Sequence, residues 1–81
     1  MQFAMRGLAQ VMARNLQPQG IHVAYVNLDG AIDMAAIRKR FPQITEDAML
    51  KPSAIAETYL HLAHQDRSAW SHDVDLRPFK E

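Results

Sequence analysis

The sequence predicts an α/β fold of two strands joined by a helical crossover. Three observations predict it. Apolar residues repeat at helical spacing over residues 3–16 and again over residues 52–64. An almost continuous apolar, β-branched run, Ile21 to Leu28, stands between them. An alternating run over residues 69–76 closes the chain. The expected order is helix, strand, short helix, helix, strand.

The first helix is expected over residues 3–16. Met5, Leu8, Ala9, Met12 and Leu16 recur at helical spacing, and Arg6, Gln10 and Arg14 form a polar stripe at i, i+4, i+8. Ala4, Gly7 and Val11 make a second face of small side chains. A mid-helix glycine costs about 1 kcal/mol relative to alanine, so Gly7 marks an expected close approach to another element. Gln17-Pro18-Gln19-Gly20 is a stop signal.

Residues 21–28 (IHVAYVNL) read as a strand covered on both faces, because the run is apolar without alternation. Asp29-Gly30 ends it with turn chemistry. A short helix is expected over residues 33–41, capped by Asp33 and closed by Pro42. Residues 43–50 read as a polar connector with room for one helical turn. Pro52 suits the first position of the helix at 52–64, where Ile55, Tyr59 and Leu62 line one side and Ala56, Leu60 and Ala63 extend it. Over 69–76, Trp70, His72, Val74 and Leu76 alternate with Ser71, Asp73 and Asp75, the mark of a half-buried strand.

Composition narrows the function classes. The 81-residue chain is 48% hydrophobic, which is globular rather than disordered. A chain this short buries only roughly 60–65% of its unfolded surface, so its core is thin and a staple is needed. Without cysteine there is no disulfide and no thiolate zinc site, which fits a reducing compartment and makes the cytoplasm the default. A formal net charge of zero gives no basic footprint for nucleic acid. No apolar run reaches the roughly 20 residues of a membrane span. Oligomerisation is the remaining staple. A two-stranded parallel sheet is not expected to stand free, and its open edge invites a partner.

The remaining chemistry-bearing residues give bland readings. His61 and His64 sit three apart on a helix, but a metal site needs three or four ligands, so none is expected. Arg38-Lys39-Arg40 reads as a solvated helix end that favours the macrodipole. Asp73 and Asp75 read as a polar strand face rather than an acid–base pair. Ser53 and Ser71 have no histidine and carboxylate that spacing places beside them. Trp70 and Phe79 suit either a core or an interface.

Taken together, Phe3-Ala4-Met5-Arg6-Gly7-Leu8-Ala9-Gln10, Gln19-Gly20-Ile21-His22-Val23, Asp29-Gly30-Ala31-Ile32-Asp33 and the set Pro52, Ile55, Ala56, Leu62 resemble the C-terminal segment of the short-chain dehydrogenase/reductase family. The resemblance spans essentially the whole chain. It implies the C-terminal part of a doubly wound, Rossmann-like fold, completed here by oligomerisation as a dimer or tetramer. It also implies that the family's catalytic tyrosine would precede Met1 and that Gln2 occupies the catalytic lysine's place. No catalytic residue is therefore expected in this chain, because glutamine lacks the charge that lowers the tyrosine's pKa. The family's Gly-rich loop has no counterpart among Gly7, Gly20 and Gly30. Gly30 and Ile32 fall on the turn that touches the nicotinamide in the family, a remnant of a cofactor site. Asp29 and Met34 depart from the family's proline and threonine there. The chain alone is expected to bind no cofactor; a complete enzyme would bind NAD(P), with residues 31–51 as substrate-side wall.

Met5, Leu8, Met12, Tyr59, Trp70 and Phe79 are the interface candidates. Three readings stand: a truncated, catalytically incompetent, self-associating member; the tail of a complete NAD(P)-dependent oxidoreductase; and a binding module that docks onto full-length relatives.

Overall fold

A computed structural model of the chain describes residues 2–80, apart from the side chain of Gln2. Helix α1 (Gln2–Leu16) leads through a 3-10 turn (Gln17–Gln19) to strand β1 (Tyr25–Leu28). A two-residue strand β2 (Ala31–Ile32) and helix α2 (Ala35–Arg40) follow. A 3-10 turn (Glu46–Ala48) leads into β3 (Met49–Leu50), then α3 (Pro52–Ala63), a 3-10 turn (Arg67–Ala69) and β4 (Asp73–Leu76). The protein is thus a small mixed α/β domain, about half helical, with short parallel strands: β1 pairs with β4, and β2 with β3. No helix among the described residues is long and apolar enough to cross a membrane.

The register sets Tyr25, Val26, Asn27 and Leu28 opposite Asp73, Val74, Asp75 and Leu76. One sheet face therefore carries Tyr25, Asn27, Asp73 and Asp75, and the other Val26, Leu28, Val74 and Leu76. Helix α1 lies over the polar face. Its Arg6 approaches Asp73 at 3.4 Å and Asp75 at 3.9 Å, and its guanidinium sits 5.1 Å from the centre of the Tyr25 ring. Helix α3 lies on the apolar face, where Ala54, Ile55 and Thr58 share a cleft with Leu76 and Leu50.

This polar sheet face redirects α1. The residues turned inward are Arg6, Ala9, Ala13 and Leu16, at i, i+3, i+7, i+10. Of the expected apolar stripe, Met5, Leu8 and Met12 face outward instead, with Leu8 61% exposed. A face built of carboxylates and an amide takes an arginine from the helix above it, and the apolar stripe rotates toward solvent. Gly7 has open space where a Cβ would stand, so the expected close approach is not made within the chain.

The expected first strand, 21–28, is shortened to Tyr25–Leu28. Strand pairing starts with the Tyr25 amide donating to the His72 carbonyl. Before that point side chains take over the backbone acceptors: His22 Nε2 lies 2.8 Å from the Ser71 carbonyl, and Gln17 Nε2 donates to the Val23 carbonyl at 3.3 Å. The expected last strand, 69–76, is likewise shortened to Asp73–Leu76. Asp66 accepts from both the backbone amide and the hydroxyl of Ser68 and winds Arg67–Ala69 into a turn. The short helix spans Ala35–Arg40 rather than 33–41, and Asp33 does not cap it, because both carboxylate oxygens are taken by Arg38. The second long helix ends at Ala63, one residue before the expected 64. The connector at 43–50 holds β3, whose partner β2 carries no periodic signal.

Only Ala13, Met49, Leu50, Ile55 and Leu62 are buried apolar residues among the described ones, while eleven large hydrophobic side chains are exposed. The radius of gyration is 15.1 Å, against about 12 Å for a compact domain of this length.

Candidate functional site

The C-terminal end of β1 is where an open α/β sheet places its ligands. Here it runs from Asp29 through Gly30 into β2. Gly30 has φ +151°, a conformation that disfavours side chains, and a Cβ there would lie 2.7 Å from Pro78 Cδ. The turn is thus held against the segment that follows β4. Replacing Gly30 by alanine is expected to cost about 1–3 kcal/mol of stability, through strained backbone and contact with a rigid proline ring. Chemical denaturation at fixed protein concentration measures it, and a loss below about 0.5 kcal/mol would contradict the packing.

Ile32 is half-buried in β2. The Asp33 amide donates to the Leu50 carbonyl at 2.7 Å, so the ladder uses residue 33, and the Ile32 N–H, one residue out of phase, points away from β3. That leaves it available to an acceptor from outside. Asp29 meets the Arg77 guanidinium at 3.4 Å, which offsets the negative charge of its carboxylate. Met34 is exposed at the start of α2 and makes no capping bond.

Asp33 and Arg38 form the best-aligned ion pair, with Nε and Nη2 donating to the two carboxylate oxygens at 2.6 and 3.0 Å. The hydrogen bonds from Arg38 hold the Asp33 carboxyl below its ordinary range; partial desolvation opposes them, and the charges of Arg38 and Lys51 assist. A carboxylate with a lowered folded pKa stabilises the fold above its unfolded value of about 3.9 and loses that contribution as pH falls through the lowered value. Arg38→Gln is expected to return Asp33 to the ordinary range, read by carboxyl carbon NMR titration. An unchanged Asp33 titration would show the pair to be absent in solution.

Two adjoining clefts flank this turn. One, about 440 Å³, is lined by Glu46, Asp47, Met49, Lys51, Arg77 and Phe79 among others. The other, about 260 Å³, runs between α3 and Leu76 and shares Leu50, Ala54 and Arg77 with the first. They hold carboxylates and cations but no histidine, serine or tyrosine that would form a nucleophile–base pair. Residues 31–51 contribute to the first cleft through Glu46–Lys51, while Arg40–Ile44 line a separate open concavity of about 610 Å³.

The reading of Gln2 at the lysine position concerns a side chain outside the described residues. Neither tyrosine of the chain has a lysine four residues on, since Asp29 stands there after Tyr25 and Ala63 after Tyr59. His61 lies in the last turn of α3 and His64 caps it; no group of three or more potential metal ligands occurs among the described residues. Arg38–Lys39–Arg40 form the last turn of α2.

Asp73 and Asp75 carry more than spacing alone indicates. They sit in a charge ladder, Arg6 over both and Arg77 between Asp75 (3.7 Å) and Asp29, with the Asn27 amide donating to Asp75. The shielded Arg6 Nε has a charge contact at 3.4 Å but no aligned hydrogen-bond acceptor, and Asn27 Oδ1 has no donor. Ser71 is held by Gln65, whose side-chain amide donates to the hydroxyl and whose oxygen accepts the Ser71 amide.

Of the interface candidates, Met5, Leu8, Met12, Tyr59 and Phe79 are exposed, the last at 79%. Trp70 is half-buried: its ring stacks on His22 with centroids 4.6 Å apart, and Nε1 donates to the Gln65 carbonyl. No family model, no curated protein and no solved structure matches the chain.

Proposed function

We propose that the chain is short-chain dehydrogenase/reductase-like, corresponding to the C-terminal part of a doubly wound, Rossmann-like fold, catalytically incompetent alone and self-associating. The observation that carries the self-association is the mismatch between its dimensions and its length. The radius of gyration is 15.1 Å and the extents are 46 × 26 × 19 Å, with eleven large apolar side chains exposed and only five apolar residues buried among the described ones. Such a chain lacks the buried area that a free domain of this size needs. The catalytic half of the proposal rests on the sequence: no tyrosine is followed by a lysine at the required spacing, and no Gly-rich phosphate loop is present.

Sedimentation across a concentration series, with NADH and NADPH fluorescence titrations on the same samples, tests this reading. Dimers or tetramers at micromolar concentration with no dinucleotide binding are expected. A folded, cooperative monomer would overturn the self-association, and saturable dinucleotide binding would overturn the incompetence.

The tail of a complete NAD(P)-dependent oxidoreductase is the second reading. It is favoured by Gly30 and by the outward Ile32 amide, which suit one wall of a nicotinamide site, with the rest of the sheet continuing from β1. An in-frame catalytic-tyrosine codon and Gly-rich codons upstream of Met1 would move this reading to first place; the same codons out of frame would count against it.

A further inference from the structure

We infer that the chain dimerises by pairing β1 with β1 of a second copy, antiparallel about a two-fold axis at Asn27, into a continuous four-stranded sheet. This rests on the self-association proposed above and specifies its surface. Tyr25 donates its amide to the His72 carbonyl just before β4 and Asp29 to the Leu76 carbonyl at its end, so the odd-numbered residues of β1 face that strand. In a parallel ladder the even-numbered residues point the other way. The amides and carbonyls of Val26 and Leu28 therefore lie along a free edge, and no partner for their amides occurs among the described residues.

The two outer edges of this sheet differ. Strand β4 carries Asp73 and Asp75, and Arg77 and Pro78 follow it directly, the charges and proline that keep an edge from pairing. Strand β1, Tyr-Val-Asn-Leu, carries none of these. The edge is also self-complementary. With Asn27 opposite Asn27 of the second copy, each Val26 amide donates to a Leu28 carbonyl across the axis and each Leu28 amide to a Val26 carbonyl. The same register sets Tyr25, with Arg6 above it, opposite Asp29 of the second copy, so a cation meets a carboxylate. It also brings two Asn27 amides together, and Asn27 Oδ1 lacks a donor within one chain.

Helix α1 supplies the apolar part of the contact. Gln10, Arg14 and Gln17 line a cavity with His72, on the β4 side of the sheet. The opposite flank of the helix is Met5, Leu8 and Met12, all exposed, and it overhangs the free edge of β1. Arg6 reaches both β1 and β4, so α1 runs over the pair. Two such pairs joined edge to edge place the two α1 axes two strand spacings apart, about 10 Å, which is a helix-packing distance. One two-fold axis thus satisfies the backbone edge and covers the apolar flank, and the resulting sheet has enough strands for independent stability.

The chain has no cysteine, so Asn27→Cys places one thiol per copy on the axis. A non-hydrogen-bonded antiparallel pair has the spacing a disulfide requires. Rapid oxidation of Asn27→Cys to a covalent dimer is expected, with the control Ser53→Cys on α3 forming no covalent cross-link under the same oxidant. Val26→Pro, or an N-methylated Val26 made by synthesis, removes one edge donor per copy and leaves the β4 ladder intact. It is expected to weaken dimerisation about tenfold or more. A dimer that ignores the Val26 change and fails to cross-link through residue 27, yet dissociates on Leu8→Lys, overturns the edge pairing and leaves self-association standing. A wild-type monomer overturns both. If Val26→Pro fails to fold, the cross-link alone decides.

Discussion

Ile55→Ala is expected to remove about 2–5 kcal/mol of stability, the range for truncating a buried aliphatic side chain. Ile55 is 8% exposed and, with Leu62, one of two buried residues on α3. It lines the small cleft together with Leu50 and Leu76, which places it between α3, the β1–β4 sheet and β3. The cleft is open beside it, so no neighbour is positioned to fill the space it would leave. Domains of this length have roughly 4–12 kcal/mol in total, and the five buried apolar side chains among the described residues place this one toward the lower end. The variant is therefore expected to be largely unfolded when diluted. Urea denaturation at one fixed protein concentration gives the number, since association itself adds stability. Ile55→Val is expected to lose only about 0.5–1.5 kcal/mol. Equal losses in the two variants would mean that shape at this position, not buried volume, holds α3 in place.

The parts of the fold that were legible in the sequence are those set by local chemistry. Pro52 at the head of α3, Gly20 after the first helix, the Asp29-Gly30 turn and the alternation over Asp73–Leu76 all act within a few residues, and each stands where its chemistry puts it. The face of α1 was not legible, because it depends on what the sheet offers beneath. Periodicity marks Met5, Leu8 and Met12 as the inward side, but the strand face below carries Asp73 and Asp75, nearly 70 residues away in the chain, and takes Arg6. Strands β2 and β3 are too short to show a period. The shortening of β4 did leave a signal, Asp66 two residues before Ser68, the side-chain turn that competes with a strand. The turn at Gly30 was legible from its local chemistry, whereas the ladder Arg6–Asp75–Arg77–Asp29 depends on strand pairing that spacing alone does not encode.

Trp70→Ala carries the other large expected effect, because Trp70 joins the two places where strand pairing begins. Its ring lies flat on His22, 8° from parallel, just before β1, and its indole N–H donates to the Gln65 carbonyl at the end of α3. The carbonyl of Ser71 can only accept, so His22 Nε2 carries a proton and donates across to the chain that becomes β4. Removing the indole withdraws part of a large buried surface, a stacking contact of about 0.5–1.5 kcal/mol and one hydrogen bond, for a total of about 2–4 kcal/mol. Trp70→Phe keeps the stack and loses only the hydrogen bond, about 0.5–1.5 kcal/mol. Circular dichroism must follow both, since Trp70 is the single tryptophan and its fluorescence disappears with it. A double-mutant cycle with His22→Ala isolates the stack, and a coupling near zero would remove it from the account. The same data separate the two roles open to Trp70. A stability loss that is independent of protein concentration makes it an internal keystone, whereas a small loss with weakened self-association would return it to the subunit interface.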